Sequence, residues 1–237
     1  MSSGLANQAV RPRSDSELTR RRIVAAAEQL FAQRGIDSVT LAEVGRAAEQ
    51  KNRNAVQYHF GDKAGLLAAI RTKHAPAIEA RRGRMLDELE RGNPPSLRDL
   101  VEVLVRPVAD EVQNPDGGAA YVQINAALIG HPEYSVLVGD QMASETTRRQ
   151  RRLIAAAMPA LPEELVEPRM FVTTVMVFHA IADAARFAIG AKDPEVRELF
   201  VCNLIDCTVG SLRAPVSART RRACTGTFVA PRLPAQE

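Results

Sequence analysis

The chain has 237 residues, of which 46% are hydrophobic, 4% aromatic and 25% charged, enough to bury one large core or two smaller ones. Its net charge of +3 is uneven: residues 1–80 carry 12 Lys and Arg against 8 Asp and Glu, whereas residues 81–212 carry 14 against 19. This composition excludes disordered and fibrous proteins, and a basic start before an acidic middle favours a polyanionic partner at one end.

The first predicted element is a helix that follows a polar arm. Ala, Leu and Arg are abundant and strand-forming runs are few, so the sequence predicts an all-α protein. Residues 1–17 lack helical periodicity and are expected to form a flexible arm. A helix is predicted from Thr19, because apolar residues from Ile23 to Phe31 recur on one face and Gly35 is placed to end it.

Two short helices are predicted next. Thr40 is a good N-cap and Glu43, three residues later, completes a capping box, which sets the start of the first short helix. The polar residues 49–53 predict a turn, and residues 54–60 predict the second short helix. A helix, a short helix, a turn and a short helix make the helix-turn-helix arrangement, in which the last helix is presented to DNA.

The rest of the chain predicts a larger helical bundle. A long helix with a kink at Pro76 is expected over residues 63–90, and Ser96 with Asp99 forms a capping box for a helix to about Asp110. Pro and Gly breaks separate the remaining helices, expected at 119–129, 134–158, 162–190 and 194–212. The segment after residue 212 has no periodic pattern and is expected to be a disordered tail.

Six segments between residues 19 and 70 follow one another at a characteristic spacing. They are Thr-Arg-Arg-Arg-Ile at 19–23, Ala-Ala-Glu-Gln-Leu-Phe at 26–31, Arg-Gly at 34–35, Thr40 before Leu-Ala-Glu-Val, Val-Gln-Tyr-His-Phe at 56–60 and Asp-Lys-Ala-Gly-Leu-Leu at 62–67. Together they resemble the head of TetR-family transcriptional regulators. The resemblance implies an N-terminal three-helix helix-turn-helix head, a larger C-terminal helical bundle and a double-stranded DNA operator as partner.

One position departs from the family pattern. The family usually has glycine at the tight turn between the two short helices, whereas this chain has Glu49 and is one residue longer before Tyr-His-Phe. Glu49 must therefore avoid a positive φ or accept strain of about 1 kcal/mol. The register of residues 50–54 on DNA is left open.

The candidate DNA contacts cluster at the turn and the second short helix. The amides of Asn52, Asn54 and Gln57 can pair with base edges, and Arg53 can bind guanine or a phosphate. The resemblance places Tyr58 and His59 on phosphates. Lys63 and Thr40 lie at helix starts, where phosphate is also favoured.

The bundle is expected to dimerise and to bind a ligand. Residues 170–189 are apolar nearly all round, and the resemblance implies that the last two long helices pair across a two-fold axis, so that a homodimer meets a palindromic operator. Polar residues in this bundle are candidates for a small-molecule site, although for each of them a structural hydrogen bond is the more common role, and Asp183 can simply pair with Arg186. The candidates are Gln123, Asn125, His179, Asp183 and Arg186, with His131 and Tyr134 as further possibilities.

Other functional classes find little support in the sequence. Nucleotide-binding, nucleophile-elbow and metalloprotease motifs are missing, so we expect no enzyme, no cofactor and no metal site. We also expect no membrane span and a cytoplasmic location. The expected domains are 1–17 (arm), 18–78 (DNA-binding), 79–212 (dimerisation and ligand binding) and 213–237 (tail). The expected function is a dimeric repressor released by a ligand. A DNA-binding dimer without effector, or a metal-binding or enzymatic body using His131, His179 and Asp183, stays as an alternative.

Overall fold

The computed structural model describes residues 13–135, 143–189 and 193–224, which contain ten α-helices and no β-strand. The all-α expectation is confirmed. The helices are α1 (Arg13–Arg34), α2 (Leu41–Ala47), α3 (Ala55–Phe60), α4 (Lys63–Glu90), α5 (Leu97–Glu111), α6 (Gly118–Ile129), α7 (Glu145–Ala156), α8 (Glu163–Arg186), α9 (Pro194–Arg213) and α10 (Ala218–Ala223). The chain divides into two compact units, residues 1–69 (the head) and 70–237 (the body), and the division falls inside α4.

The head is a small three-helix core extended by the start of α4. Helix α1 packs on α2 and α2 packs on α3. The predicted apolar face of α1 is buried, with Ile23 and Ala27 fully inaccessible, and Val44 and Val56 supply the facing surfaces of α2 and α3. Burial of these aliphatic side chains stabilises the packing at about 1.5–3 kcal/mol for each large one.

Both ends of α1 have a local cause. Gly35 adopts a φ of +83°, and its N–H donates to the Phe31 carbonyl at 2.9 Å, so the helix ends where the sequence predicts. The start was predicted wrongly: α1 begins at Arg13 and not at Thr19. Asp15 in the first turn favours an earlier start, because a carboxylate stabilises the positive end of the helix dipole. Residues 1–12 of the expected arm lie outside the described residues.

The body is a bundle in which α5 is the central helix. Helix α5 contacts α6, α7, α8 and α9, and α8 contacts both α6 and α9. The side chains at the centre are fully buried, among them Val101, Val105, Val122, Val177 and Ile205. The capping box of Ser96 and Asp99 is present, with the Asp99 N–H donating to the Ser96 hydroxyl at 3.2 Å.

Two predictions for the body were wrong. The helix expected over residues 134–158 is shorter: residues 132–134 form a turn, and α7 begins at Glu145 after Ser144, whose hydroxyl accepts the Thr147 N–H at 3.0 Å. Within the expected disordered tail, residues 218–223 form α10, because Ser217 caps them by accepting the Thr220 N–H at 3.1 Å. An N-cap hydroxyl stabilises a helix start by roughly 1 kcal/mol. Residues 225–237 lie outside the described part.

Helix α8 is the only helix in the described ranges long and apolar enough to cross a membrane, with a mean hydropathy of 1.3 over its best window. Length and composition alone are weak support for a span, since the core helix of a bundle satisfies the same criterion. Met170, Val177 and Ile181 of α8 are buried in the body, but only 28% of the apolar window is buried, and Phe171 and Val172 are exposed.

Candidate nucleic-acid interface

The start of α2 is held by a complete capping box. The Thr40 hydroxyl accepts the Glu43 N–H at 3.2 Å, and the Glu43 carboxylate accepts both the N–H of Thr40 at 2.9 Å and its hydroxyl at 2.8 Å. Arg34 adds an ion pair to Glu43 at 2.9 Å. The hydrogen bonds from the Thr40 backbone and hydroxyl, with that from Arg34, lower the pKa of Glu43 to about 2. In the absence of DNA, therefore, the Thr40 hydroxyl is already hydrogen-bonded to Glu43.

The turn between α2 and α3 is strained at the position where the family usually has glycine. Glu49 adopts a φ of +54°, so it does not avoid the left-handed region. Its N–H donates to the Arg46 carbonyl at 3.0 Å, and the N–H of Gln50 donates to the Gly45 carbonyl at 2.9 Å. These bonds close the end of α2 tightly, and they hold a non-glycine residue in a conformation that costs on the order of 1 kcal/mol.

The start of α3 is organised by Asn52. Its side-chain oxygen accepts the Asn54 N–H at 2.9 Å, and its carbonyl accepts the Ala55 N–H at 3.1 Å. Asn54 is the N-cap residue of α3, and its own side chain makes no capping bond. The amide group of Asn54 and the amino group of Asn52 are therefore directed by a defined backbone and stay available to another molecule.

Helix α3 has one buried face and one exposed face. Ala55 and Val56 are buried in the head, whereas Gln57 is exposed and Tyr58 keeps 83% of its surface accessible. Asn52, Arg53 and Asn54 are exposed as well. The structure thus brings five of the eight predicted DNA contacts together on one polar surface, which we call the recognition surface: Asn52, Arg53, Asn54, Gln57 and Tyr58.

The end of α3 is fixed by Arg20, which the sequence identifies only as part of the Thr-Arg-Arg-Arg-Ile segment of α1. Its guanidinium donates to the His59 carbonyl at 2.6 Å and lies over the Phe60 ring, 4.4 Å from the centroid. A carbonyl bond and a cation–π contact together hold α3 against α1. Helical periodicity describes one helix at a time and carries no signal for such a contact. The His59 ring is half-buried and meets Tyr58 edge to face, 5.1 Å between centroids.

The junction between α3 and α4 is the tightest packing in the head. The Asp62 carboxylate accepts the Gly65 N–H at 2.7 Å, which caps α4. A Cβ on Gly65 would lie 2.0 Å from the Phe60 carbonyl oxygen, so no larger residue fits without movement. Lys63, predicted as a phosphate anchor, is part-buried, and its ammonium donates to the Ile36 carbonyl at 2.9 Å. An ammonium has three donors, and one bond leaves two for a phosphate.

Of the five candidate ligand residues, three lie on the surface of the body. His179, Asp183 and Arg186 are exposed, and Arg186 pairs with Asp183 at 2.7 Å, as their spacing allows. The expectation that these three are polar groups inside a pocket of the subunit does not hold, because α8 buries its Met170, Val177 and Ile181 side instead.

The other candidates are nearer the interior. Asn125 is buried and donates to the Tyr121 hydroxyl at 3.2 Å, and Gln123 is half-buried. His131 uses its ring nitrogen Nδ1 to accept backbone N–H groups of Glu133 and Tyr134 at 3.1 Å each. In the described ranges, no group of three or more His, Cys, Asp or Glu residues is arranged to hold a metal ion.

Sequence reasoning missed a buried hydrogen-bonded pair in the body. His74 of α4 and Glu111 of α5 approach to 2.7 Å, and both are buried. The His74 ring stacks on Tyr121 of α6, 4.6 Å between centroids, and Asn114 donates to Glu111 at 2.8 Å. His74 lies 37 positions before Glu111, and no spacing in the sequence indicates that the two side chains meet.

Two protein-family models match the chain. The one described as "Bacterial regulatory proteins, tetR family" matches residues 23–70, and the one described as "Tetracyclin repressor-like, C-terminal domain" matches residues 102–210. Between them they cover more than half of the chain, from the head through most of the body. No curated protein matches the chain.

Several solved structures resemble the chain. A protein from Rhodococcus sp. described as a TetR-family transcriptional regulator is 23% identical, with 81% of this chain and 99% of that chain covered and a TM-score of 0.49. RolR in complex with resorcinol is 16% identical, with 87% and 98% covered and a TM-score of 0.43. A gamma-butyrolactone receptor, an ArpA-like protein, is 21% identical, with 84% and 82% covered and a TM-score of 0.37.

The family models, the capped α2, the exposed polar face of α3 and the separate helical body agree with one another, and the chain belongs to the TetR family of DNA-binding transcriptional regulators.

Proposed function

We propose that the chain is a dimeric repressor that binds a palindromic operator through α3 and leaves it when the body binds a small molecule. The observation that carries this proposal is the recognition surface. Five polar side chains project from a turn and helix whose apolar side, Ala55 and Val56, is buried in the head. A rigid helix that presents amide and guanidinium groups is suited to the major groove, where each base pair shows a distinct pattern of donors and acceptors.

Each contact residue has a proposed role. Asn54 and Gln57 bind base edges, because their amides are exposed and their backbone is fixed. Arg53 binds a guanine or a phosphate, and Asn52 adds a donor through its amino group. Tyr58, His59 and Lys63 bind phosphates on either side of the groove. Thr40 reaches a phosphate only by giving up hydroxyl contact with Glu43, so its contribution is the smallest of the set.

The surface of α8 and α9 supports a homodimer. Phe171 and Val172 of α8, Phe187 directly after it, and Val196 and Leu199 of α9 are exposed, with Leu199 at 70%. Exposed apolar groups concentrated on two helices of one subunit indicate an interface. We call this the α8–α9 face. Phe171, Val175, His179 and Asp183 follow one another at four-residue spacing, so in a dimer built on this face the exposed polar candidates of α8 lie at the interface and not in a pocket.

The two units divide the work. Residues 18–78 bind DNA, and residues 79–212 hold the dimer and the ligand site, of which Asn125 and Gln123 stay candidates. Solved structures with low identity to this chain include one in complex with resorcinol and one described as a gamma-butyrolactone receptor, and ligand response in this chain is proposed by analogy with them. A regulator of this kind acts in the cytoplasm, where bacterial DNA lies.

The experiment that tests this function is selection of bound duplexes from a random DNA pool by the full-length chain. A palindromic consensus is expected, and a promoter carrying it should be silenced in a reporter strain that expresses the chain. Selection that yields no enriched sequence overturns the proposal. A consensus with raised reporter output identifies an activator, and a consensus without two-fold symmetry contradicts the dimer.

A further inference from the structure

Polar side chains that are buried or half-buried lie around Tyr121 in the body, and Tyr121 interacts electrostatically with Arg82 and Glu79. Glu79 and Arg82 belong to α4, Tyr121 and Asn125 to α6, and Thr147 to α7. We call these five residues the Tyr121 cluster. In the described ranges, the buried side-chain nitrogen and oxygen atoms without a hydrogen-bond partner are Arg82 Nε and Asn125 Oδ1, and both belong to this cluster. Because at least nine in ten buried polar atoms are satisfied in native proteins, two orphans in one cluster point to a missing partner.

Arg82 is held on one side only. It is 5% exposed, and its Nη1 donates to the Thr147 hydroxyl at 3.1 Å and also to Glu79. The Glu79 carboxylate further accepts from Thr147 at 3.2 Å and from Ser144. The carboxylate thus accepts from three side chains but not from Arg82 Nε, which keeps an unpaired N–H in an interior where an unmet donor costs roughly 1–3 kcal/mol.

Tyr121 and Asn125 leave complementary groups unused. Asn125 is 8% exposed, and its amino group donates to the Tyr121 hydroxyl at 3.2 Å, which leaves the amide oxygen as a free acceptor. The Tyr121 hydroxyl accepts that bond, and its own hydrogen has no acceptor among the described residues. Burial raises the pKa of Tyr121 to about 12, so the phenol keeps this hydrogen at neutral pH.

The charges nearby favour an uncharged occupant. The guanidinium of Arg82 is paired with Glu79, and the two other charged groups that act on Tyr121, Arg71 and Glu111, are of opposite sign, so no net positive charge is left for an anion. Desolvation lowers the pKa of Arg82, which shows that the site already bears the cost of one buried charge. A second full charge without its own counter-ion would add several kcal/mol of desolvation.

Resting on the ligand response proposed above, we infer that the Tyr121 cluster binds a small, uncharged molecule that carries a hydrogen-bond acceptor beside a donor, as in an amide or a lactam. The acceptor takes the N–H of Arg82 or the O–H of Tyr121, and the donor meets the oxygen of Asn125. An amide satisfies the cluster with the Asn125 side chain in either orientation, since it offers both kinds of group.

The test uses full-length protein and three amides of increasing size: acetamide, 2-pyrrolidinone and benzamide. Toluene serves as the apolar control and benzoate as the charged control. Thermal melts and titration calorimetry should show that at least one amide raises Tm and binds, because a ligand of the folded state stabilises it by mass action, while toluene and benzoate do not. Asn125→Leu should weaken amide binding by about tenfold or more, and Tyr121→Phe should weaken it in the same direction.

Gln150→Leu is the matched control. Gln150 is also a buried amide of the body, but its Nε2 donates to the Leu100 carbonyl at 3.0 Å. Its replacement should lower Tm and leave amide affinity unchanged, whereas Asn125→Leu should keep or raise Tm without ligand because it removes an unpaired oxygen. If Asn125→Leu does not fold, Tyr121→Phe carries the test.

Three results would overturn the inference: no amide raises Tm, toluene stabilises as much as benzamide, or amide affinity survives both Asn125→Leu and Tyr121→Phe. In each case the binding of a selected operator is measured on the same preparation. Operator binding that persists while amide binding fails leaves the DNA-binding function intact and removes only this site. Failure to bind any selected duplex removes the proposed function itself.

Discussion

The head and the body use polar side chains in opposite ways. In the head, Asn54, Gln57 and Tyr58 lie on the surface, and the core is apolar apart from the buried Glu28 of α1. In the body, His74, Arg82 and Asn125 are buried, and the surface of α8 and α9 carries large apolar groups instead. The comparison matches the two functions proposed above: the head presents polar groups that suit DNA, and the body combines buried polar groups with an exposed apolar surface, as the proposed ligand site and dimer interface require.

The largest expected effect comes from placing charge on the α8–α9 face. The double variant Phe171→Glu with Leu199→Glu should split the dimer, because both side chains are exposed in the single subunit and would be buried in an interface. Operator affinity should then fall by about a hundredfold or more, since two half-sites are no longer linked. Sedimentation and gel-shift titration measure the two effects.

The control for that variant is Arg84→Glu, a charge reversal at an exposed position of α4 outside this face. It should leave the dimer intact. Leu204 is a poor probe of the interface, although its helical position alone suggests it, because it is 5% exposed and belongs to the core of its own subunit. A double variant that stays dimeric would contradict the assignment of this face.

Two glycines of α4 should respond in opposite directions. Gly65→Ala should destabilise the head by about 1–3 kcal/mol and weaken DNA binding, because its Cβ would lie 2.0 Å from the Phe60 carbonyl oxygen. Gly83→Ala should be tolerated or should stabilise the body by up to about 1 kcal/mol, since its Cβ meets only Thr146 at 3.9 Å. Urea unfolding of both variants measures the difference, and equal effects would contradict the tight α3–α4 junction.

Base-reading and phosphate-binding residues of the head should separate in binding assays. Alanine at Asn54 or Gln57 should reduce the preference for the selected operator over mismatched duplexes by about 1–3 kcal/mol. Alanine at Lys63 should weaken all duplexes nearly alike, because a phosphate contact carries no sequence information. Unchanged selectivity in folded Asn54 and Gln57 variants would show that another surface binds the bases.

The smallest expected effect is the change in stability when glycine replaces Glu49 in the head or Ala188 in the body. These are the two non-glycine residues with positive φ in the described ranges. Glycine at either position relieves left-handed strain and also loosens the unfolded chain, so the net gain should be under about 1 kcal/mol. Glu49→Gly should leave operator preference unchanged if the turn merely positions α3. A change in preference would indicate that Glu49 itself contacts DNA. Thermal melts and the same duplex panel measure both quantities.

The head was the more predictable region because its signals are local. The capping box of Thr40 and Glu43 and the end of α1 at Gly35 depend on residues within five positions of each other, and all lie where the sequence places them. The contact of Arg20 with the His59 carbonyl spans 39 positions, and no pattern in the sequence indicates it. Features that depend on residues close together in the sequence could therefore be predicted, and long-range contacts could not.

The body was less predictable for the same physical reason. Most helix bounds follow from apolar periodicity and Pro or Gly breaks, but α10 was not expected, and the partners of buried groups do not follow. His179, Asp183 and Arg186 had the chemistry of pocket residues and lie on the surface, whereas Arg82 and His74 lie inside and were not singled out. Tertiary packing decides whether a long polar side chain on an amphipathic helix is buried or exposed. Its spacing in the sequence alone does not.

The central claim is that the recognition surface of α3 binds an operator, and the salt dependence of duplex binding tests it most directly. The affinity of the full-length chain for its selected duplex should fall by about a hundredfold or more between roughly 50 and 200 mM salt, because each neutralised phosphate releases counter-ions. A scrambled duplex should bind more weakly at every salt concentration, and the two affinities should converge in the Asn54→Ala, Gln57→Ala double variant. A flat salt response, or equal affinity of the wild type for both duplexes, would contradict the account.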